Sequence, residues 1–262
     1  MEGGMTRSLL SAPLRTAAGL VAPALLVALW QWNSGGALGS VAIAPPSALL
    51  TAGRELVADG TLGAGVAATL ARALTGFGIG AALGFLTGVA MALSSAVNRV
   101  LGPLLQALRQ VPMLGWMPLI ALWFGTGEGS ELIVVCVASF FPTLLSTHSG
   151  LRQVESRYLE VGRIYGLDTG QRFALVQLPA ALPFVLTGLN QALAFAWIAT
   201  IASEILLGTG AGLGVTMQQA QMQQRLDMML VAVIVTAFLG FAINQILLHL
   251  RRGLLRWQPD NR

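Results

Sequence analysis

Long apolar stretches, broken by short polar segments that carry arginine, recur along the whole chain. A membrane-spanning helix needs about 20 mostly apolar residues. Six segments meet that need: Leu20–Trp32 with its flanks, Leu62–Leu93, Val100–Phe124, Leu132–Ser149, Ala180–Leu207 and Met228–Leu250. The pattern predicts an all-α membrane protein of about six transmembrane helices, with residues 1–262 forming a single domain.

Some interruptions carry information. Arg7 and Arg15 precede the first apolar run, so it has the outline of a signal peptide. Trp30 and Trp32 follow it as an interfacial aromatic pair and no small-residue cleavage site stands beside it, which favours an uncleaved span. Pro112 and Pro118 predict a kink or break in the third span, tolerated where backbone lines a cavity. The longest polar interruption is a loop at about 151–179. From Glu155 to Tyr165, apolar residues three and four apart predict a short amphipathic helix. Gly166 can end it in a left-handed conformation, Asp168 or Thr169 can cap the next helix, and Pro179 and Pro183 mark the entry into the fifth span. A helix lying on the membrane surface and a helix that docks a partner both fit this pattern.

Composition agrees with a membrane protein. The 262 residues are 55% hydrophobic and only 10% charged, with a mean hydropathy of +0.72; a soluble domain carries about 25% charged residues. The 31 glycines suit close helix–helix approach in lipid. All 15 basic residues are arginine. They are spread between apolar runs instead of forming one patch, which argues against nucleic acid. Cys136 is the single cysteine, so no disulfide framework or thiolate metal cluster is expected.

The arginines also orient the chain. With the N-terminus inside, the inner regions hold Arg7, Arg15, Arg99, Arg152, Arg157, Arg163, Arg172, Arg251, Arg252, Arg256 and Arg262. The outer loops hold Arg54 and Arg225 beside Glu55, Asp59, Glu128, Glu131 and Asp227. The positive-inside rule then places both termini and the 151–179 loop in the cytoplasm.

Three charges fall in or near apolar spans: Arg72, Arg109 and Glu204. Such charges face a protein interior, a cavity or an ionic partner. Either arginine could attract an anion along a pathway, or could pair with Glu204 and fix the bundle. Gln106, Gln110, Asn190 and Gln191 could line a wet face or form interhelical hydrogen bonds. Trp116, Trp123 and Trp197 could gate a pathway or simply pack.

The loop carries a resemblance. Glu160, five residues, Gly166, nine residues, then Val176, one residue, Leu178 and Pro179 resembles the signature cytoplasmic loop of ABC importer permeases. Val161 and Gly162 stand where that family usually has two alanines. QALRQVPMLGWMPLIALWFG (106–125), LARALTGFGIG (70–80), SEILLGTGAGLG (203–214) and the tail Leu254, Leu255, Arg256, Trp257 resemble the nitrate, sulfonate and taurine branch.

That resemblance implies a type I importer permease fold in a bacterial cytoplasmic membrane, and a homodimer. Two cytoplasmic ATPases would hold the loop through Glu160, Val161, Gly162, Gly166, Leu178 and Pro179. An extracytoplasmic binding protein would deliver a small, anionic solute such as nitrate, a sulfonate, taurine or a related organic acid. A permease for a non-anionic solute such as a pyrimidine vitamin precursor, or a secondary transporter, is the alternative. The chain has no G-x-x-x-x-G-K-S/T phosphate loop. The expectation is therefore a non-catalytic subunit without a cofactor, with ATP and Mg bound by the partner ATPases.

Overall fold

The structure, a computed structural model, describes residues 25, 28–31 and 44–254, with the side chains of 252 and 254 left out. The predicted first span and the Leu255–Trp257 tail lie largely outside the described residues. In the main described segment we number the helices α1 Pro46–Ala58, α2 Thr61–Leu93, α3 Ser95–Leu108, α4 Met113–Phe124, α5 Glu128–Arg152, α6 Ser156–Ile164, α7 Thr169–Arg172, α8 Leu178–Leu207, α9 Leu213–Met222 and α10 Leu226–Leu254. Among the described residues, four helical stretches are long and apolar enough to cross a membrane: Thr61–Leu93, Glu128–Arg152, Thr169–Leu207 and Leu226–Arg251.

α5 is the centre of the bundle, with α2 on one side and α8 on the other. Glycines make the first contact. Gly76, Gly80, Gly84 and Gly88 recur every fourth residue, so they form one stripe along α2. A methyl group at Gly76 would stand 2.6 Å from Val135, and one at Gly88 would stand 2.8 Å from the Leu144 carbonyl. At Gly80 it would strike Ser139 and the Cys136 carbonyl, and at Gly84 the Phe140 carbonyl. The two helices therefore run parallel with their backbones nearly touching, a packing that small residues permit in lipid. Ser139 Oγ donates across the seam to the Gly76 carbonyl at 3.3 Å. α8 runs antiparallel to α5, with Gly150 beneath Phe184 and Gly188 against Ser146.

The ends of α5 follow its charges. Glu128 and Glu131 lie in its first turn and Arg152 in its last, complementing the helix dipole at both ends. α10 packs on α1, α8 and α9, and Trp197 of α8 covers Gly240. Only 6% of the most apolar stretch of α10 is buried within the molecule, so most of that helix is left for lipid or another chain.

The third predicted span, Val100–Phe124, is not one helix. It breaks between α3 and α4 at residues 109–112. Pro112 lacks an N–H and disfavours helical backbone at Val111. The 12 residues of α4 reach about 18 Å at 1.5 Å per residue, well short of the roughly 30 Å hydrocarbon core. α4 still packs inward, through Met117 and Ile120 against Val134, Ala199 and Leu207. α3 has no buried side chain.

Candidate functional site

Two sites stand at opposite ends of the bundle. The first is the α6–α7 loop. Gly166, at φ 72°, ends α6 in the left-handed region. Leu167 N–H donates to the Gly162 carbonyl at 3.0 Å and Gly166 N–H to the Arg163 carbonyl at 2.9 Å. These two bonds make a Schellman turn, which glycine favours because it carries no Cβ. Asp168 then starts α7 with a reciprocal capping box. Its carboxylate accepts from Gln171 N–H at 2.8 Å, and its own N–H donates to Gln171 Oε1 at 3.0 Å.

Gly162 is buried, and a methyl group there would lie 3.2 Å from Arg172 Cγ and 3.6 Å from Leu167. Arg172 is fixed in turn by Nε donating to the Asp168 carbonyl and by a bond to Thr169 Oγ1. α6 thus rests on α7 through Gly162. Its other side presents Tyr158, Val161, Ile164 and Tyr165; Ile164 is 83% and Tyr165 80% exposed. Glu160 is exposed, and among the described residues its carboxylate has no hydrogen bond or ion pair. After α7, Phe173–Gln177 forms a wide π turn in which Leu178 N–H donates to the Phe173 carbonyl. The widening falls where Pro179 has no N–H to offer and its ring crowds the preceding turn. Leu178 and Pro179 then open α8.

On Arg157, at this exposed surface, the Tyr158 hydroxyl and the Glu155 carboxylate hold the guanidinium pKa above its ordinary value.

The second site surrounds Glu204, which has no exposed surface. Arg72 Nη1 lies 2.5 Å from Glu204 Oε1. Thr69 Oγ1 donates to Glu204 Oε2 at 3.0 Å and Gly214 N–H donates to the same oxygen at 2.8 Å. Leu213 N–H donates to Thr69 Oγ1 at 2.9 Å. The first N–H groups of α9 are therefore capped by side chains from α8 and α2, and Glu204 sits at the favourable end of the α9 dipole. Glycines close the cage: a methyl group at Gly212 would meet the Glu204 carboxyl carbon at 2.7 Å, and one at Gly214 the Glu204 Cβ at 2.7 Å. The Gly-Thr-Gly-Ala-Gly-Leu-Gly run is the shape needed to wrap a buried carboxylate.

Glu131 corrects the sequence reading. Expected in an outer loop, it is 1% exposed in the first turn of α5. Its Oε2 lies 2.7 Å from Arg72 Nε. The pair lacks hydrogen-bond alignment, so neither Glu131 oxygen has a hydrogen-bond donor among the described residues. Glu128, highly exposed, stands 4.0 Å from Arg72 Nη2. Helical spacing was the available signal: Thr69 precedes Arg72 by three residues and Glu128 precedes Glu131 by three, each pair sharing one helix face.

Arg109 stands apart from this cluster. It is exposed at the α3–α4 break and has no side-chain hydrogen bond or ion pair among the described residues. It lines a cavity of about 370 Å³ between α4, α5 and α8, as does Trp116. Gln106, Gln110 and Gln191 are exposed, and none makes a side-chain hydrogen bond among the described residues. Interhelical bonds from these three are thus not made among the described residues. Asn190 is half-buried, and its Oδ1 has no donor among the described residues. Trp197 packs on Gly240, whereas Trp123 is exposed. No cluster of three His, Cys, Asp or Glu side chains among the described residues is arranged to hold a metal.

Residues 80–256 match the family described as binding-protein-dependent transport system inner membrane component. The chain belongs to that family of ABC transport permeases. It is 35% identical over 238 residues, 90% of each chain, to a provisionally assigned aliphatic sulfonates transport permease of Escherichia coli. It is 31% identical to the taurine transport system permease of the same organism, over 90% of this chain and 87% of the relative. Among solved structures, the permease of the MetNI methionine ABC transporter superposes with a TM-score of 0.64 at 18% identity, covering 74% of this chain and 96% of that one. The fold is that of a type I ABC importer permease, within the nitrate, sulfonate and taurine family.

Proposed function

We propose that the chain is the membrane subunit of an ATP-driven importer for a small organic or inorganic anion, acting as a homodimer. Two cytoplasmic ATPases grip α6, and a binding protein delivers the solute to the opposite end of the bundle. One observation carries this reading. α6 is a short helix held at a fixed angle by a Schellman turn and a capping box, yet its apolar residues face outward without a partner. Rigid geometry beneath an uncovered apolar surface suits a lever that another protein holds. The free carboxylate of Glu160 adds a polar anchor to it. The anionic substrate class draws on the sulfonate and taurine relatives.

ATP-driven motion of the ATPases would move α6, and the attached α5 and α8 would shift between inward and outward access, a population shift set by nucleotide state. The catalytic step belongs to the ATPases, which hold ATP and Mg.

Glu160→Ala and Gly166→Val test the reading in the complex purified with its ATPase. Both variants are expected in the membrane at normal level, with ATP hydrolysis no longer linked to uptake. Wild-type uptake and solute-stimulated hydrolysis in both, or no ATPase on purification of the wild type, would overturn it.

A further inference from the structure

Glu131 and Glu204 give the junction of α2, α5 and α8 more negative charge than Arg72 can answer. Glu131 is 1% exposed and Glu204 not at all. Among the described residues, Arg72 is the one cation paired with either of them. With both carboxyls ionised, the buried group would hold one negative charge in excess. A charge taken out of water is stable only when hydrogen bonds satisfy its remaining lone pairs. The two carboxyls differ in that respect. Glu204 receives Thr69 Oγ1 and Gly214 N–H besides the guanidinium. Glu131 has Arg72 Nε at 2.7 Å, and neither of its oxygens has a hydrogen-bond donor among the described residues. An ionised carboxylate has room for about four. Where two carboxylates share one site, a proton on one of them relieves the repulsion, and the one with fewer donors takes it at lower cost. The charged groups that bear on Glu131 are Arg72 from α2, Glu204 from α8 and, one turn earlier on α5, the highly exposed Glu128. α4, which also packs on α5, carries no charged residue.

We propose that Glu131 is a proton-binding site: it holds a proton at neutral pH while Glu204 stays ionised against Arg72, which makes the junction of three spanning helices electrically neutral. The proton comes from water at the Glu128 surface and returns there. A metal ion in its place would stand beside the guanidinium and be repelled by it. The burial is supplied by this chain's own helices, so the site needs neither a second copy nor an ATPase and goes beyond the importer reading. On the orientation that the arginines predict, the exchanging water is extracytoplasmic. The junction then tightens in an acid exterior and loosens in an alkaline one.

The test uses the full-length permease in phosphatidylcholine nanodiscs, without ATPase or binding protein. Infrared spectra at neutral pH should show the carbonyl stretch of a protonated carboxyl group, shifting in heavy water. Glu131→Gln should abolish that band, and Glu128→Gln should keep it. Absence of the band from the wild type overturns the proposal, as does its persistence in Glu131→Gln, which would place the proton on another carboxyl. Thermal melting supplies the second measurement. The unfolded chain leaves this carboxyl ionised at neutral pH, so the folded wild type must take up a proton that becomes scarcer as pH rises. Glu131→Gln carries a neutral side chain at every pH. It should therefore melt at or above the wild type at neutral pH, and its advantage should grow by up to about tenfold in the folding equilibrium for each pH unit upward and vanish in acid. Glu131→Gln melting below the wild type at neutral pH would mean that an ionised Glu131 holds Arg72, and would overturn the proposal, as would a gap that does not change with pH. None of these outcomes bears on whether ATPases grip α6.

Discussion

Glu204 and Arg72 each have their polar atoms committed to neighbours, and that commitment decides what they can do. Glu204 answers Arg72, Thr69 and the first turn of α9 at once. Arg72 spans two carboxylates on different helices. Deleting one member of a buried pair strands the other in low dielectric, at a cost of about 3–5 kcal/mol. Arg72→Gln and Glu204→Gln should therefore each lower the yield of folded permease and its melting temperature in detergent, and the double variant should recover part of the loss. Strict additivity of the two losses would show that the pair does not act as a unit. Arg109→Gln, outside this network, should leave the melting temperature unchanged. The sequence displayed all three charges but left two arginines as candidates for Glu204. The choice depends on the register of α2 against α5 and α8, and on the folding back of residues 208–214 over the carboxylate; neither follows from hydropathy. Glu131 was misplaced for a related reason: in a linear reading it adjoins the exposed Glu128, and only the helix turn carries it inward to Arg72.

At the scale of elements, α2 and α5 are joined by a seam whose tightness rests on a few missing methyl groups. Overpacking a filled interface costs typically about 1–3 kcal/mol. Gly80→Ala should bring its methyl onto Ser139 and the Cys136 carbonyl and lower the melting temperature by several degrees. Gly78→Ala, two residues away, meets nothing within 4 Å, and should be neutral or slightly stabilising, since alanine is the better helix former. Equal effects at both positions would mean that the seam is not the constraint. The glycine count in the sequence signalled close packing; the face is set by the four-residue spacing from Gly76 to Gly88, which the count alone does not give. The long helices were legible because their apolar runs exceed what a membrane needs. The third span was legible in composition, and its break in Pro112: residues 100–124 are mostly apolar around Gln106, Arg109 and Gln110, and the backbone does not pass Pro112 unbroken, whereas Pro118, expected to act alike, stays inside α4. Asp168 against Thr169 as the cap of α7 was likewise open from residue type alone. The reciprocal bonds with Gln171 select Asp168.

For the whole molecule, the two sites lie at opposite ends of the bundle, so their relation to the two sides of the membrane fixes what each can meet. α2 and α5 run from the Glu204 end toward the α6 end, and α8 returns. Arg152, Arg157, Arg163 and Arg172 gather at the α6 end. At the Glu204 end, Arg225 is bridged to Glu55 at 3.0 Å and to Asp227 at 2.9 Å, and these two carboxylates hold its guanidinium pKa above the ordinary range, Asp227 foremost. Retention of positive charge on the cytoplasmic side then predicts that α6 faces the cytoplasm, where ATP is available, and that α9 faces the outside. Cysteine labelling in intact cells tests this directly, once Cys136 has been replaced by serine. Arg157→Cys lies on the exposed surface of α6 and should be protected from an impermeant maleimide until the cells are permeabilised. Gln219→Cys lies on the exposed side of α9 and should react at once. Both sites are open in the folded chain, so protection reports the membrane barrier or a bound partner instead of burial. Permeabilisation in the presence and absence of the ATPase separates those two: a cysteine at 157 that stays protected only with the ATPase present is covered by it. Immediate labelling at 157 with protection at 219 would invert the molecule, putting α6 where no ATPase can reach it.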